Sequence, residues 1–297
     1  MSSLIKLTDA WMTRSQFQMP GKSSLYPSES SVVWTDMYGD KRVEGTCLRA
    51  AWLRVTGWAE KEGQVLKTEP YGEWIFALGK AVEVILVEQW KQMGIWVANN
   101  VKFFDQKHNI SGEIDCVLQL PESKPFLVEV KSFYGYAATK QLCGNKSTHP
   151  SPKTSQLLQT LIYVDQFKEY FDYAKMIYYA RDSANRAEFD ISLIEDASKP
   201  DRGILHRPTI DGVVDSRFYL EDIYDRFDLL NQYIIANEMP PCDFEREYSA
   251  ETVEKLHKQG EIAKTTYEKW QKKPNQNPIG DWRCRSYCKY RDFCYKK

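Results

Sequence analysis

The sequence predicts an α/β domain built on a central mixed β-sheet with helices on its faces. Three observations carry that reading. Residues 74–93 place Ile75, Leu78, Val82, Ile85 and Leu86 at helical spacing. Three short apolar segments follow at once, 101–104, 110–120 and 126–133, and read as successive strands. A helical stretch at 154–170 then precedes two more strand-like segments, 175–180 and 188–194, and this alternation of helix and strand belongs to the α/β class.

The remaining elements follow in chain order. The first forty residues are polar, with Pro20-Gly21-Lys22-Ser23-Ser24 among them, and predict an extended lead-in. A short helix follows Cys47, over residues 48–55. Pro121-Glu122-Ser123-Lys124-Pro125 supplies the turn between the second and third strands. Helices are expected at 220–237 and 250–272, the latter ended by Pro274-Asn275-Gln276-Asn277-Pro278. There is no internal repeat. One domain spanning 1–297 accounts for the chain: an N-terminal helical segment to about residue 70, a core to about 195, and a helical region with a cysteine-rich tail.

Composition narrows the class of function. Of 297 residues, 42% are hydrophobic, enough for a sizeable core and too many for a disordered chain. Forty Lys and Arg against 41 Asp and Glu exclude a uniformly basic nucleic-acid coat protein but leave room for a local basic groove. No apolar run is long enough to span a membrane, and the start lacks a basic stretch followed by an apolar one. A soluble cytoplasmic protein is the expectation. Seven cysteines make an odd number, three of them crowded at Cys284, Cys288 and Cys294, which fits metal or cluster ligands better than a disulfide framework.

The most informative segment is Gly112-Glu113-Ile114-Asp115 followed by Glu129-Val130-Lys131. Alternation along a strand puts Glu129 and Lys131 on one face. A hairpin centred on Glu122 sets Asp115 opposite Glu129, about 5 Å apart at Cβ, where two carboxylates repel unless a cation is shared. Lys131 beside them suits orientation of a water or stabilisation of charge on a phosphate. Glu83, flanked by Val82 and Val84, is costly unless paired or metal-bound; Lys80, three residues earlier, offers an ordinary salt bridge instead. Gln159 and Tyr163 stand one turn apart on the 154–170 helix, with Gln156 near the same face. Between Val130 and Val164 there is no acidic residue, yet Lys131, Lys140, Lys146 and Lys153 lie there, with Phe133, Tyr134 and Tyr136 at its start. Cations with aromatic faces suit single-stranded nucleic acid; a solvated loop accommodates the same lysines.

Together these residues resemble the PD-(D/E)XK nuclease superfamily, in its RecB-like branch. Gly79-Lys80-Ala81-Val82-Glu83 resembles the first motif of that family, Gly112-x-x-Asp115 the second, Glu129-Val130-Lys131 the third, and Gln159-x-x-x-Tyr163 the helical motif that follows. The tail from Trp282 to Cys294 is similar to that of the iron–sulfur nucleases, which include CRISPR-associated exonucleases, AddB-type subunits and phage relatives. Two departures stand out: three residues rather than two separate Cys284 from Cys288, and Glu83 replaces the more common His. The resemblance implies a restriction-endonuclease-like core. It implies a metal site of Glu83, Asp115, Glu129 and the Val130 carbonyl holding Mg2+ or Mn2+, with Lys131, Gln159 and Tyr163 as further catalytic residues. It implies a [4Fe–4S] cluster on Cys47, Cys284, Cys288 and Cys294, with structural Zn2+ as the competing occupant. A tie joining both ends of a domain in this way is worth on the order of 5 kcal/mol by loop-closure reasoning. The implied activity is DNA hydrolysis, as an exonuclease that prefers single strands or free ends, with Lys140, Lys146, Lys153, Tyr134 and Tyr136 along the DNA. Protein partners in recombination or CRISPR adaptation accompany some relatives. A non-cleaving nucleic-acid scaffold and a restriction-type endonuclease are the alternatives.

Overall fold

The computed structural model describes residues 4–6, 8–9, 24–58, 70–145 and 148–294. Lys146 lies outside the described residues. The protein is a mixed α/β structure with a large mixed sheet flanked by helices.

The polar lead-in is not simply extended. Beyond a single turn at Pro27–Glu29, Ser31–Thr35 (β1) and Lys41–Gly45 (β2) form an antiparallel hairpin that buries Val32. Helix α1 (Leu48–Thr56) ends at Gly57 in the left-handed conformation, and α2 (Pro70–Gln92) leads into the main sheet. That sheet takes its seven strands in chain order: β3 (Trp96–Asp105), β4 (Ile110–Leu118), β5 (Phe126–Phe133), β6 (Ala174–Ala180), β7 (Arg186–Asp196), β8 (Leu205–Ile210) and β9 (Val213–Val214). Every pairing is antiparallel except β5 with β6. The parallel pair requires a crossover, supplied by α3 (Tyr136–Cys143) and α4 (Thr154–Gln166).

Alternation in β4 and β5 sends side chains into two separate cores. Cys116, Leu118, Phe126, Val128 and Val130 pack with Leu86, Val87 and Trp90 of α2. Leu127, Phe133 and Val117 join the larger core on the other face, with Leu157, Leu158 and Leu161 of α4 and Ile223 and Phe227 of α5 (Leu220–Ala236). Cys116 is fully buried, as its alternation with Asp115 predicts.

Beyond residue 196 the region is not wholly helical, because β8 and β9 extend the sheet there. The expected single helix at 250–272 is two, α6 (Ala250–Lys258) and α7 (Lys264–Lys272), parted by Gly260 at φ +79°. The tail ends in a π-helical turn at Arg283–Tyr287 and a short helix, α8 (Arg291–Cys294). Among the described residues, no helix is long and apolar enough to cross a membrane.

Candidate functional site

The β4–β5 hairpin sets the site. Cys116 pairs with Val128, Val117 with Leu127 and Leu118 with Phe126, and the paired stretch ends one step short of Asp115 and Glu129. There the strands part. The Asp115 Oδ2 atom accepts the Val130 backbone N–H at 2.8 Å, so the side chain replaces a strand-to-strand bond. Glu129 is 2% exposed and points to the same face. Its Oε1 accepts from Lys131 Nζ and, at 3.0 Å, from Gln159 Nε2, which also donates to the Tyr163 hydroxyl at 2.7 Å. Helix α4 thus brings Gln159 and Tyr163 onto the β5 carboxylate, one turn apart as the sequence spacing predicts.

The electrostatics are those of crowded acids. Burial, then the Glu129 charge, raises the Asp115 carboxyl well above its ordinary range, and the Glu83 charge adds to it. Burial also raises Glu129. For Lys131, burial opposes the ammonium, but the charges of Glu129 and Asp115 prevail and raise it. Burial and the Glu129 charge push the Tyr163 phenol up, keeping it a hydroxyl. Glu83 on α2 pairs with Lys80, the ordinary salt bridge the sequence offers, and its charge also reaches Asp115.

Glu129 Oε2 is buried with no hydrogen-bond partner, as is Gln156 Oε1 on α4. An anionic oxygen in that state is expensive unless a cation meets it. Asp115, Glu129 and the Val130 carbonyl offer the hard oxygen donors that Mg2+ or Mn2+ takes, and Glu83 is near enough to add its charge. Their present hydrogen bonds point elsewhere, and among the described residues no three His, Cys, Asp or Glu side chains converge on one ion position.

The lysines and tyrosines proposed for nucleic acid divide. Tyr134 and Tyr136 are exposed where the chain leaves β5, and Lys140 lies exposed on α3. Lys153, just before α4, is partly buried, and its backbone N–H meets the Tyr178 hydroxyl at 3.4 Å. Burial, then the charge of Arg181, lowers Lys153. Arg181 had no signal in the sequence apart from following a strand. Its N–H donates to the Phe133 carbonyl at 2.9 Å, beside the end of β5, and its buried Nε has no partner. Two like charges near each other suit an anion such as a phosphate.

The cysteines gather at a second place. Cys47, Cys284, Cys288 and Cys294 line one cavity of about 400 Å³, and Cys242 lines it too. Sequence reasoning gave Cys242 no role, because it stands 42 positions before the tail triplet with no motif around it. Gly45 prepares the approach: at φ +93° it passes so close to Ser30 that any Cβ would overlap its carbonyl oxygen. Cys47 then opens α1. Gly280 does likewise for the tail, against the Arg246 carbonyl, where Asp281 N–H bonds Glu245 O at 2.8 Å. The extra residue between Cys284 and Cys288 is taken up by the π turn, in which Cys288 N–H reaches Arg283 O at 2.8 Å. All five thiols are free of disulfides. Cys47 and Cys242 have their sulfurs 3.8 Å apart. That sulfur contact and burial push the Cys47 thiol up; burial does the same for Cys288, and for Cys294 to about 11.

No protein-family model matches the chain, and no curated protein matches it. Among solved structures it is similar to one described as "Crystal structure of SSO0001", at 12% sequence identity and a TM-score of 0.44, over 99% of this chain and 97% of that one.

Proposed function

We propose that the protein is a Mg2+- or Mn2+-dependent deoxyribonuclease of the PD-(D/E)XK type, RecB-like branch, acting on single-stranded DNA or free DNA ends as an exonuclease. The observation that carries the reading is the pairing of Asp115 on β4 with buried Glu129 on β5, close enough for their charges to interact, with Lys131 bonded to Glu129 and Glu129 Oε2 without a hydrogen-bond partner. Glu83, Asp115, Glu129 and the Val130 carbonyl would hold the ion. When bound, it supplies Lewis acidity and lowers the pKa of a coordinated water. The chain's own residues do the rest. Lys131, released from Glu129, donates its N–H bonds to the phosphate as negative charge grows there. Gln159 holds the Glu129 carboxylate and the Tyr163 hydroxyl in fixed relation, limiting their freedom before substrate arrives. Lys153 and Arg181 offer positive charge to a neighbouring phosphate, and Tyr134 and Tyr136 offer faces on which bases stack.

In this reading the cysteine cavity holds a [4Fe–4S] cluster that ties Cys47 of the N-terminal segment to the tail. Structural Zn2+ on four thiolates is the competing occupant of the same cavity. A reducing intracellular setting suits the free thiols. Protein partners in recombination or CRISPR adaptation are compatible with this activity.

A non-cleaving nucleic-acid scaffold is the second reading. What favours it is that Asp115, Glu129 and Glu83 each already have a protein partner. End-labelled single-stranded DNA incubated with Mn2+ separates the two. The nuclease gives shortened products that Lys131→Ala or Asp115→Ala abolishes without loss of fold; a scaffold binds DNA and leaves it whole.

A further inference from the structure

Five cysteines share a cavity where a cubane takes four. The surplus is not loosely placed. The segment carrying Cys242 is fastened to the start of α1 by bonds that involve no sulfur. Leu48 N–H donates to Asp243 Oδ2 at 2.7 Å, Arg226 Nη2 holds the same oxygen at 2.7 Å, and Arg49 Nε donates to the Pro240 carbonyl at 2.8 Å. Cys47 and Cys242 are therefore neighbours by construction, with or without an occupant, at an Sγ–Sγ distance of 3.8 Å.

That distance restricts what the pair can do. Sulfurs bound to different irons of a cubane are separated by an edge of the cube as well as by two iron–sulfur bonds, so two sulfurs in van der Waals contact serve one corner, not two. Cys242 lines the same cavity as Cys284, Cys288 and Cys294.

We propose that Cys242 is an alternative ligand for the corner of the cluster assigned to Cys47, so that either sulfur completes the site with Cys284, Cys288 and Cys294. This rests on the iron–sulfur reading above. Exchange at the corner needs no oxidant or reductant: the incoming thiol gives up its proton as its sulfur binds iron, and the departing thiolate takes a proton as it leaves. The site then tolerates loss of either thiol of the pair but not of both.

The test measures iron, acid-labile sulfide and visible absorption in full-length protein purified without oxygen. C47S and C242S are each expected to keep iron and sulfide within about twofold of the unmodified protein, while C47S/C242S and C288S lose about tenfold or more. Loss of iron in C47S alone overturns the exchange, as does retention in the double variant. A second measurement needs no variant. Iodoacetamide labelling of the intact iron-loaded protein, mapped by mass spectrometry, is expected to leave Cys284, Cys288 and Cys294 protected and to modify Cys242 or Cys47. Modification of Cys284 with both members of the pair protected overturns the proposal. Unmodified protein that contains no iron refutes the cluster itself. Stoichiometric zinc lost from each single variant refutes both, because adjacent sulfurs on one tetrahedral ion bind together.

Discussion

Replacing Asp115 with Asn should abolish cleavage and, in metal-free buffer, make the protein more stable. Three carboxylates, Glu83, Asp115 and Glu129, face two lysines, Lys80 and Lys131, so one negative charge has no counterpart. Opposed strand positions lie about 5 Å apart at Cβ. Two unit charges at that distance repel by about 3 kcal/mol at an effective dielectric near 20. Lys131 offsets much of this, leaving a gain of about 1 kcal/mol when Asp115 becomes neutral, or a rise in melting temperature of about 2 °C. Asn keeps an oxygen for the Val130 N–H, so the local bond survives. The sign follows from the raised carboxyl: the wild type carries the penalty only once Asp115 is ionised, so the gain appears as pH rises and vanishes in acid. Cleavage should fall by about a thousandfold or more, the equivalent of about 4 kcal/mol of transition-state stabilisation. Calorimetric melts without metal and end-labelled DNA assays with Mn2+ measure the two effects. A variant that melts lower at neutral pH, or that cleaves within tenfold of wild type, refutes the reasoning.

Other consequences are equally open to measurement. Gln159→Ala frees both Glu129 and Tyr163 and should cost roughly 10–100-fold in Mn2+ affinity, by calorimetric titration, with little change in the DNA dissociation constant. Asp196 is held below the usual carboxylate range by its bonds from Ser198 and Arg207; its contribution is present above a pH of about 4 and lost as pH falls further, so Asp196→Asn should flatten the acid limb of a stability–pH curve. If the cysteine cavity holds the proposed cluster, its oxidative loss should lower the melting temperature on the order of 10 °C, read by calorimetry before and after ferricyanide treatment.

Much of the site is legible in the sequence because it rests on strand alternation and one tight turn. Glu122, at φ +60°, sits at the turn, and the 116–118 with 126–128 register is the one a hairpin centred there predicts, although the strands part before Asp115 and Glu129. Gln159 and Tyr163 follow from helical spacing alone. What escaped depends on contacts distant in sequence. Leu205-His206-Arg207-Pro208 has no alternation and contains a proline, yet β8 forms because β7 and β9 pair with it on either side. The β1–β2 hairpin hides in a polar stretch because only Val32 and its neighbours need burial. Helix α3 was concealed by the lysine-rich reading of its segment. The helix expected over 250–272 looked continuous because charged residues run through Gly260, whose left-handed backbone ends the first half. Cys242 and Arg181 carry no local pattern; only the folded chain sets the one against Cys47 and the other beside the end of β5.

The proposed nuclease requires Asp115, Glu129 and Lys131 to act as one centre that cuts DNA with the help of a divalent ion. Its most direct test is a time course of 5′- and 3′-labelled single-stranded DNA with purified protein, with Mn2+, with EDTA, and with Glu129→Gln. Progressive shortening from an end is expected with Mn2+, none with EDTA, and none with the folded variant. Intact DNA under every condition, or cleavage that survives both EDTA and Glu129→Gln, would contradict it.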